Sequence, residues 1–405
     1  MTAVSPAERA GAAITEPVLL DVTRLVARAW SGRHSTGIDR VCAAYLDHFR
    51  PRARAVVQHR GLIRALPHRE SAELFALIEA PPRGRRTALA RVLSSALLSG
   101  TAEAELSGRA YLNVGDTDFD LRSHHRWTEQ AGVRPFYFLH DLIPALNPVF
   151  SRPHAVRRHR GRVRGALEHG AGVIVGTHAV RQEVEAYAAA NGWPLPPLAV
   201  APLAGADFTQ MPEVRAEEQA LYFLCVGTIE PRKNLRLLFA VWEQLAARLG
   251  AETPKLIIAG QTGPMTGDLL APLGNLAPHI DHRPSCSDAE LADLMRGARA
   301  VLMPSLAEGF GLPVVEALQC GTPVIASALP VFAEIGQGAA RLVDPRDSAA
   351  WEQAVCAAVH APSRKTGPVP GFVPPRWQDH FEVVERFIAS RVPCAQSSSK
   401  RVLAA

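Results

Sequence analysis

Short apolar runs closed by turn residues alternate with longer stretches of helical period, and the alternation occurs twice along the 405 residues. A strand that reads as an unbroken apolar run is buried on both faces, and a helix after each strand returns the chain to start the next one in the same direction. The pattern predicts an α/β chain with two parallel sheets. In the first half, strands are expected at 17–22 (PVLLDV), 110–114 (AYLNV), 135–139 (PFYFL) and 172–175 (GVIV). In the second they are expected at 221–226 (LYFLCV), 255–259 (KLIIA), 300–303 (AVLM) and 323–326 (PVIA). Between 50 and 108, arginines and prolines obscure the period.

Helix signals fall between the strands. After Asn234, the apolar Leu235, Leu238, Phe239, Trp242, Leu245 and Leu249 recur at steps of three and four, and Gly250 marks the stop. Ser287 with Glu290 spells a capping box that opens the helix carrying Leu291 and Leu294. The proline-rich stretch 193–202 followed by Gly205 approaches a linker near 203–218, so the expected domains are 1–205 and 206–375. A second Pro/Gly stretch at 362–375 precedes a last helix at 376–391, and 392–405 is read as a disordered tail.

Composition narrows the function classes. Hydrophobic residues at 47% and charged residues at 20% exclude wholesale disorder and a membrane-embedded chain. No stretch reaches the roughly 18 apolar residues of a spanning helix, and residues 1–16, with Glu8 and Glu16, hold no apolar signal core. The expected location is cytoplasmic, with peripheral contact at the inner face of the membrane. The six cysteines, Cys42, Cys225, Cys286, Cys320, Cys356 and Cys394, form no C-x-x-C and are read as reduced thiols, with no metal site. A net charge of +5, with arginine far outnumbering lysine, permits acidic ligands.

Two segments of the second half carry chemistry. Residues 305–321 (SLAEGFGLPVVEALQCG) follow a buried strand, turn through Gly309 and Gly311, and enter a helix with Pro313 in its first turn. Free amides from Gly309 through Phe310 and Gly311 to Leu312, at the positive end of a helix dipole, favour a phosphate. Glu308 and Glu316 bracket this turn; a carboxylate beside a phosphate accepts from sugar hydroxyls, since it would repel the phosphate itself. The plain alternative is a solvated Glu308 and a Glu316 that satisfies the helix start. Residues 226–234 (VGTIEPRKN) place Gly227 and Thr228 at a strand's carboxyl end, with Arg232 and Lys233 just before a helix. Those cations suit a diphosphate, or else form a solvated loop pair.

Together these segments resemble the family-4 retaining glycosyltransferases of the GT-B fold, in which an E-x-R-K-N loop and an E-x7-E motif form a nucleotide-sugar site. Here they stand as 230–234 and 308–316, with 342–345 (LVDP) similar as well. The resemblance implies two Rossmann-like domains facing a cleft, with the C-terminal helix crossing back to the first. It implies that Gly227, Thr228, Arg232 and Lys233 hold the donor diphosphate and that 309–312 touch phosphate and sugar. Glu308 would orient the donor sugar and Glu316 would hold the ribose. More loosely, 36–40 (TGIDR) and 139–144 (LHDLIP) are similar to first-domain elements of the same family. Under that comparison Gly37 approaches the donor phosphates and His140 faces the donor sugar; alone, His140 is a structural strand-end histidine.

The implied activity is retaining transfer of a sugar, a mannose-type hexose, from a nucleoside-diphosphate sugar to a glycan or polyprenyl-diphosphate-linked acceptor in bacterial surface polysaccharide assembly. A GT-B epimerase or phosphorylase, or a non-catalytic nucleotide-sugar-binding partner of a transferase, are the alternatives. Asp116, Thr117 and Asp118 spell D-x-D, but the basic pair and helix amides already supply counter-charge, so a turn or acceptor contact is expected and no cofactor or metal. Residues 152–169 hold six arginines, with Val156, Val163 and Leu167 on one helical side, which suits an anionic membrane surface or a solvated basic face. No aromatic interleaving points to nucleic acid.

Overall fold

The computed structural model describes residues 17–392 apart from 33–35, 82–83, 100–104, 207, 209–220, 264 and 362–367. The first sheet comprises β1 (Val18–Asp21), β2 (Ala53–His59), β3 (Leu62–Ala65), β4 (Ala110–Asn113), β5 (Arg134–Leu139), β6 (Gly172–Val175) and β7 (Leu198–Val200), in spatial order β3-β2-β1-β4-β5-β6-β7. All pairs are parallel except β2 with β3, a hairpin turned through Arg60 and Gly61, both at positive φ. The second sheet comprises β8 (Tyr222–Val226), β9 (Lys255–Ala259), β10 (Ile280–Arg283), β11 (Val301–Met303), β12 (Val324–Ser327) and β13 (Arg341–Val343), all parallel, in order β10-β9-β8-β11-β12-β13. The chain passes from one sheet to the other between Val200 and Tyr222; most of the expected linker at 203–218 lies outside the described residues, as does the expected tail beyond 392.

Both sheets reverse their strand order at the strand that begins them, between β1 and β4 and between β8 and β11. In open α/β sheets ligands bind at the carboxyl ends of strands where the order reverses. The loops leaving β1 and β5 and those leaving β8 and β11 supply walls of the cleft between the domains. The eight expected strands are all present. The helix after Asn234 runs Leu235–Leu249, capped by Gly250, with Leu238, Phe239, Trp242 and Leu245 buried. The capping box opens Asp288–Gly297, with Ser287 and Glu290 in the reciprocal bonds the sequence predicts. In 50–108, where the period is obscured, lie β2, β3 and the helices His68–Glu79 and Arg85–Ser99.

The last helix, Trp377–Ala389, crosses back onto the first domain. Phe381 stacks on His48 with ring centroids 3.9 Å apart, and Phe387 lies against Gly172 and Phe136. Buried His380 bonds the Ala201 and Pro202 carbonyls through Nδ1 at 3.1 and 3.2 Å and the Tyr45 hydroxyl through Nε2 at 3.0 Å. Burial holds its imidazole down at about 4, so the ring stays neutral and the bonds persist at neutral pH. Burial of Phe381, Val384 and Ile388 contributes about 1.5–3 kcal/mol each, which fixes the helix to a domain made some 180 residues earlier.

The basic helix Pro153–His169 buries Val156, Val163 and Leu167, as its spacing predicts. Arg158 pairs with Asp118 at 2.8 Å and Asp120 at 3.0 Å, and Arg162 with Asp116 at 3.2 Å. The D-x-D triplet is thus a turn, with Asp116 and Asp118 at φ of 61° and 51°, braced by two arginines. Among the described residues no cluster of three or more His, Cys, Asp or Glu is arranged to hold a metal ion.

Candidate functional site

Leaving β8, the chain makes one tight turn at Pro231–Lys233 and reaches Asn234 in the left-handed region. The Asn234 amide donates to the carbonyls of Pro304 at 3.2 Å and Pro345 at 2.9 Å, lashing this loop to those following β11 and β13. That lash aims both cations at one carboxylate. Lys233 Nζ lies 2.5 Å from Glu308 Oε1, Arg232 Nη1 lies 2.7 Å from Glu308 Oε2, and the Ser305 hydroxyl donates to Oε1 at 2.8 Å. Burial alone would raise the Glu308 carboxyl, but Arg232 and Lys233 overcome it and hold the pKa at about 2. Glu308 is therefore not at an open loop mouth: it is a buried anion that fixes the two cations. Its own contacts are to Arg232, Lys233 and Ser305, a setting that the reading as a sugar-orienting residue did not foresee.

The next residues close against the first domain. A Cβ on Gly309 would stand 2.3 Å from the His140 carbonyl oxygen and 2.7 Å from Asp141 Cβ, so only glycine permits this approach. Gly311, at φ 99°, starts the helix Leu312–Gln319, with Pro313 in the first turn. One turn on, Glu316 is buried, and both of its hydrogen bonds fall on Oε1: from the Ala206 amide at 3.0 Å and from Arg40 Nη1 at 2.8 Å. Burial raises its pKa and Arg40 opposes the rise.

On the first-domain side, Thr36 and Asp39 form a capping box that sets the start of the helix Gly37–Phe49. Gly37 faces Leu312, its Cβ position 3.6 Å from Leu312 Cδ1. At the end of β5, His140 Nε2 donates to the Val114 carbonyl at 2.8 Å, which leaves Nδ1 as the acceptor. Packing around the ring pushes its pKa below 6.5, so the imidazole is neutral at pH 7.

These elements enclose a cavity of about 670 Å³ lined by Gly37, His140, Gly227, Thr228, Arg232, Lys233, Glu308, Gly309, Phe310, Gly311, Leu312 and Glu316. Every residue singled out from the sequence for donor binding or catalysis lies on it. Arg24, Arg40, Asp141 and Asp288 line it too and were not singled out. A further contact across the domains also escaped notice: the Glu334 carboxylate accepts from the His178 and Ala179 amides at 2.7 and 3.0 Å, capping a first-domain helix. Such pairings join residues more than 150 positions apart and leave no local pattern.

The fold and the cleft define a two-domain α/β protein of the GT-B architecture. The model of the family described as glycosyl transferases group 1 matches residues 207–366, a stretch that takes in most of the second domain. Over 226 residues the chain is 31% identical to the serotype-specific mannosyltransferase WbdA of Escherichia coli, covering 51% of this chain and 27% of that protein. It is 36% identical over 129 residues to the O-antigen chain mannosyltransferase B of Escherichia coli, covering 31% of this chain and 33% of that one. The chain thus spans about a quarter to a third of the length of these relatives. Among solved structures, the sucrose-phosphate synthase of Thermosynechococcus elongatus has a TM-score of 0.58 at 18% identity, over 93% of this chain and 94% of that one. An alpha,alpha-trehalose-phosphate synthase (UDP-forming) from Burkholderia vietnamiensis scores 0.53 at 13% identity, over 92% and 96%. At these identities the likeness speaks for the fold.

Proposed function

We propose that the protein transfers a sugar, a mannose-type hexose, from a nucleoside-diphosphate sugar to a hydroxyl of a glycan or polyprenyl-diphosphate-linked acceptor, with retention of configuration, in bacterial surface polysaccharide assembly. The observation that carries the reading is the convergence, on one cleft, of an ordered cation pair, a helix start and a neutral histidine from the opposite domain. The mannosyltransferases among the relatives supply the sugar and the setting.

The chemistry is positioning and electrostatic stabilisation. Arg232 and Lys233, held in place by Glu308, and the amides at 311–312 stabilise the departing diphosphate. On the same face the diphosphate takes the acceptor proton, and no protein nucleophile is assigned. His140, neutral and anchored on Val114, faces the donor sugar. Glu316 accepts from the ribose. No metal takes part in this scheme.

Among the described residues no helix is long and apolar enough to cross a membrane. A cytoplasmic location with peripheral contact through 152–169 accords with a lipid-linked acceptor, although the pairing of Arg158 and Arg162 with aspartates reduces the charge available. Flotation with anionic liposomes and not with neutral ones tests that contact.

Calorimetric titration with UDP, GDP, ADP, CDP and dTDP, without added metal, tests the site: one diphosphate binds tightly to the wild type and is weakened by Glu316→Ala. Transfer to a lipid-linked or glycan acceptor panel, with the anomeric product read by NMR, tests the reaction. Binding of none of the five overturns the reading; donor conversion without acceptor redirects it to an epimerase.

A further inference from the structure

Arg40 sits in the first turn of the helix Gly37–Phe49, yet among the described residues its side chain bonds nothing in its own domain. The carboxylate next to it, Asp39, is already held by Arg24 at 2.6 Å, by Arg28 at 2.8 Å and by the Thr36 amide at 2.7 Å. Arg40 is therefore left to reach across the cleft. Its Nη1 meets Glu316 Oε1 at 2.8 Å and its Nη2 bonds Asp288, the first residue of the capped helix Asp288–Gly297. One guanidinium fork thereby spans two separate elements of the second domain, a geometry that arginine's planar donors suit and a lysine's single ammonium does not.

Glu316 is nearly inaccessible, with 1% of its surface exposed, and an unpaired carboxylate there would be costly. Arg40 and the Ala206 amide relieve that cost at Oε1 alone. The carboxylate lines the cavity beside the helix start that would take phosphate, so its other oxygen is suited to sugar hydroxyls. We infer that Arg40 is a positioning residue of the donor site: by holding Glu316 at Oε1 when the domains are together, it leaves Oε2 to accept from the vicinal hydroxyls of a nucleoside ribose. This rests on the nucleoside-diphosphate reading above and adds the element that orients the ribose acceptor. Because the helper comes from the opposite domain, ribose recognition is complete only in the closed cleft, and a ribonucleotide favours closure by its differential affinity.

Titration of UDP and GDP and of their 2′,3′-dideoxy analogues against wild type, Arg40→Ala and Asp288→Asn tests the inference, with thermal melts confirming that each variant is folded. Wild type binds the ribonucleotide more tightly than the dideoxy form. Arg40→Ala weakens the ribonucleotide roughly ten- to a hundredfold, the range for a charged hydrogen-bond partner, and changes the dideoxy form less than about twofold. Asp288→Asn, which loosens the second anchor of the fork, gives a smaller loss of the same ribose-dependent kind. Equal weakening of both nucleotide forms overturns the inference and makes Arg40 a phosphate ligand. Unchanged binding in Arg40→Ala, or a wild type indifferent to the ribose hydroxyls, overturns it while leaving nucleotide binding intact. A wild type that binds neither these four nor ADP, CDP or dTDP overturns the nucleotide-sugar reading itself.

Discussion

Adding one methyl group at Gly309 separates closure of the cleft from stability of the fold. The new Cβ would stand 2.3 Å from the His140 carbonyl oxygen, 2.7 Å from Asp141 Cβ and 3.1 Å from the His140 carbonyl carbon. Non-bonded contacts settle at about 3.5–4 Å, so loop and wall must part by roughly 1 Å. Two of the three obstructing atoms are backbone and cannot rotate aside. Overpacking of this kind costs about 1–3 kcal/mol, and if closure bears it, kcat/KM falls by about 5- to 150-fold. The clash vanishes once the domains separate, so each domain's own packing is untouched. The assay is steady-state transfer with Gly309→Ala, alongside a thermal melt. Gly274→Ala is the control: Gly274 lies off the cavity and its Cβ would meet nothing within 4 Å. Wild-type kcat/KM in Gly309→Ala, or a loss that follows a collapse in melting temperature, refutes the reasoning.

Other expectations concern pH and metal. Glu308 carries a pKa of about 2 against 4.5 for a free glutamate, so its stabilising contribution is full above about pH 4.5 and fades as pH falls towards 2. Urea melts from pH 6 to pH 2 should lose stability more steeply in the wild type than in Glu308→Gln, and equal slopes would count against the ion-paired carboxylate. Burial lowers the His140 pKa from its ordinary 6.5, so its protonation sets in on the acid side of that point and activity should not break at 6.5; a break near 6.5 that His140→Gln removes would contradict that. Prolonged dialysis against EDTA should leave the transfer rate unchanged, and a loss restored by Mn²⁺ would show that the cation pair does not suffice.

What the sequence discloses follows from where each element sits. The strands legible as apolar runs are interior ones, buried on both faces. Those that were missed are β2, where Arg54 and Gln58 interrupt the run, and β3, β7, β10 and β13, which are the four edges of the two sheets. An edge strand such as Ile280–Arg283 (IDHR) needs no continuous apolar run, so period gives no warning of it. The same division holds at the site. Arg232, Lys233, Gly309 and Gly311 are legible because loop and helix start are local patterns. The partnership of Glu308 with both cations, and of Arg40 with Glu316 across 276 positions, arises only when loops from different strands meet.

The last helix has a consequence for how the protein is made. Tyr45 packs on Phe381 with ring centroids 5.1 Å apart, and Phe136 meets Phe387 at 5.8 Å, so apolar surface of the first domain is covered by residues from 377 onward. The first sheet is complete at Val200, which leaves 176 residues to be synthesised before Trp377 appears. At ribosomal speeds of about 5–20 residues per second, that is a wait of roughly 10–35 s. During it the nascent first domain exposes a greasy flank to the cell. Completion of the amino-terminal half is thus deferred to the end of translation, and the second domain has its whole chain available first.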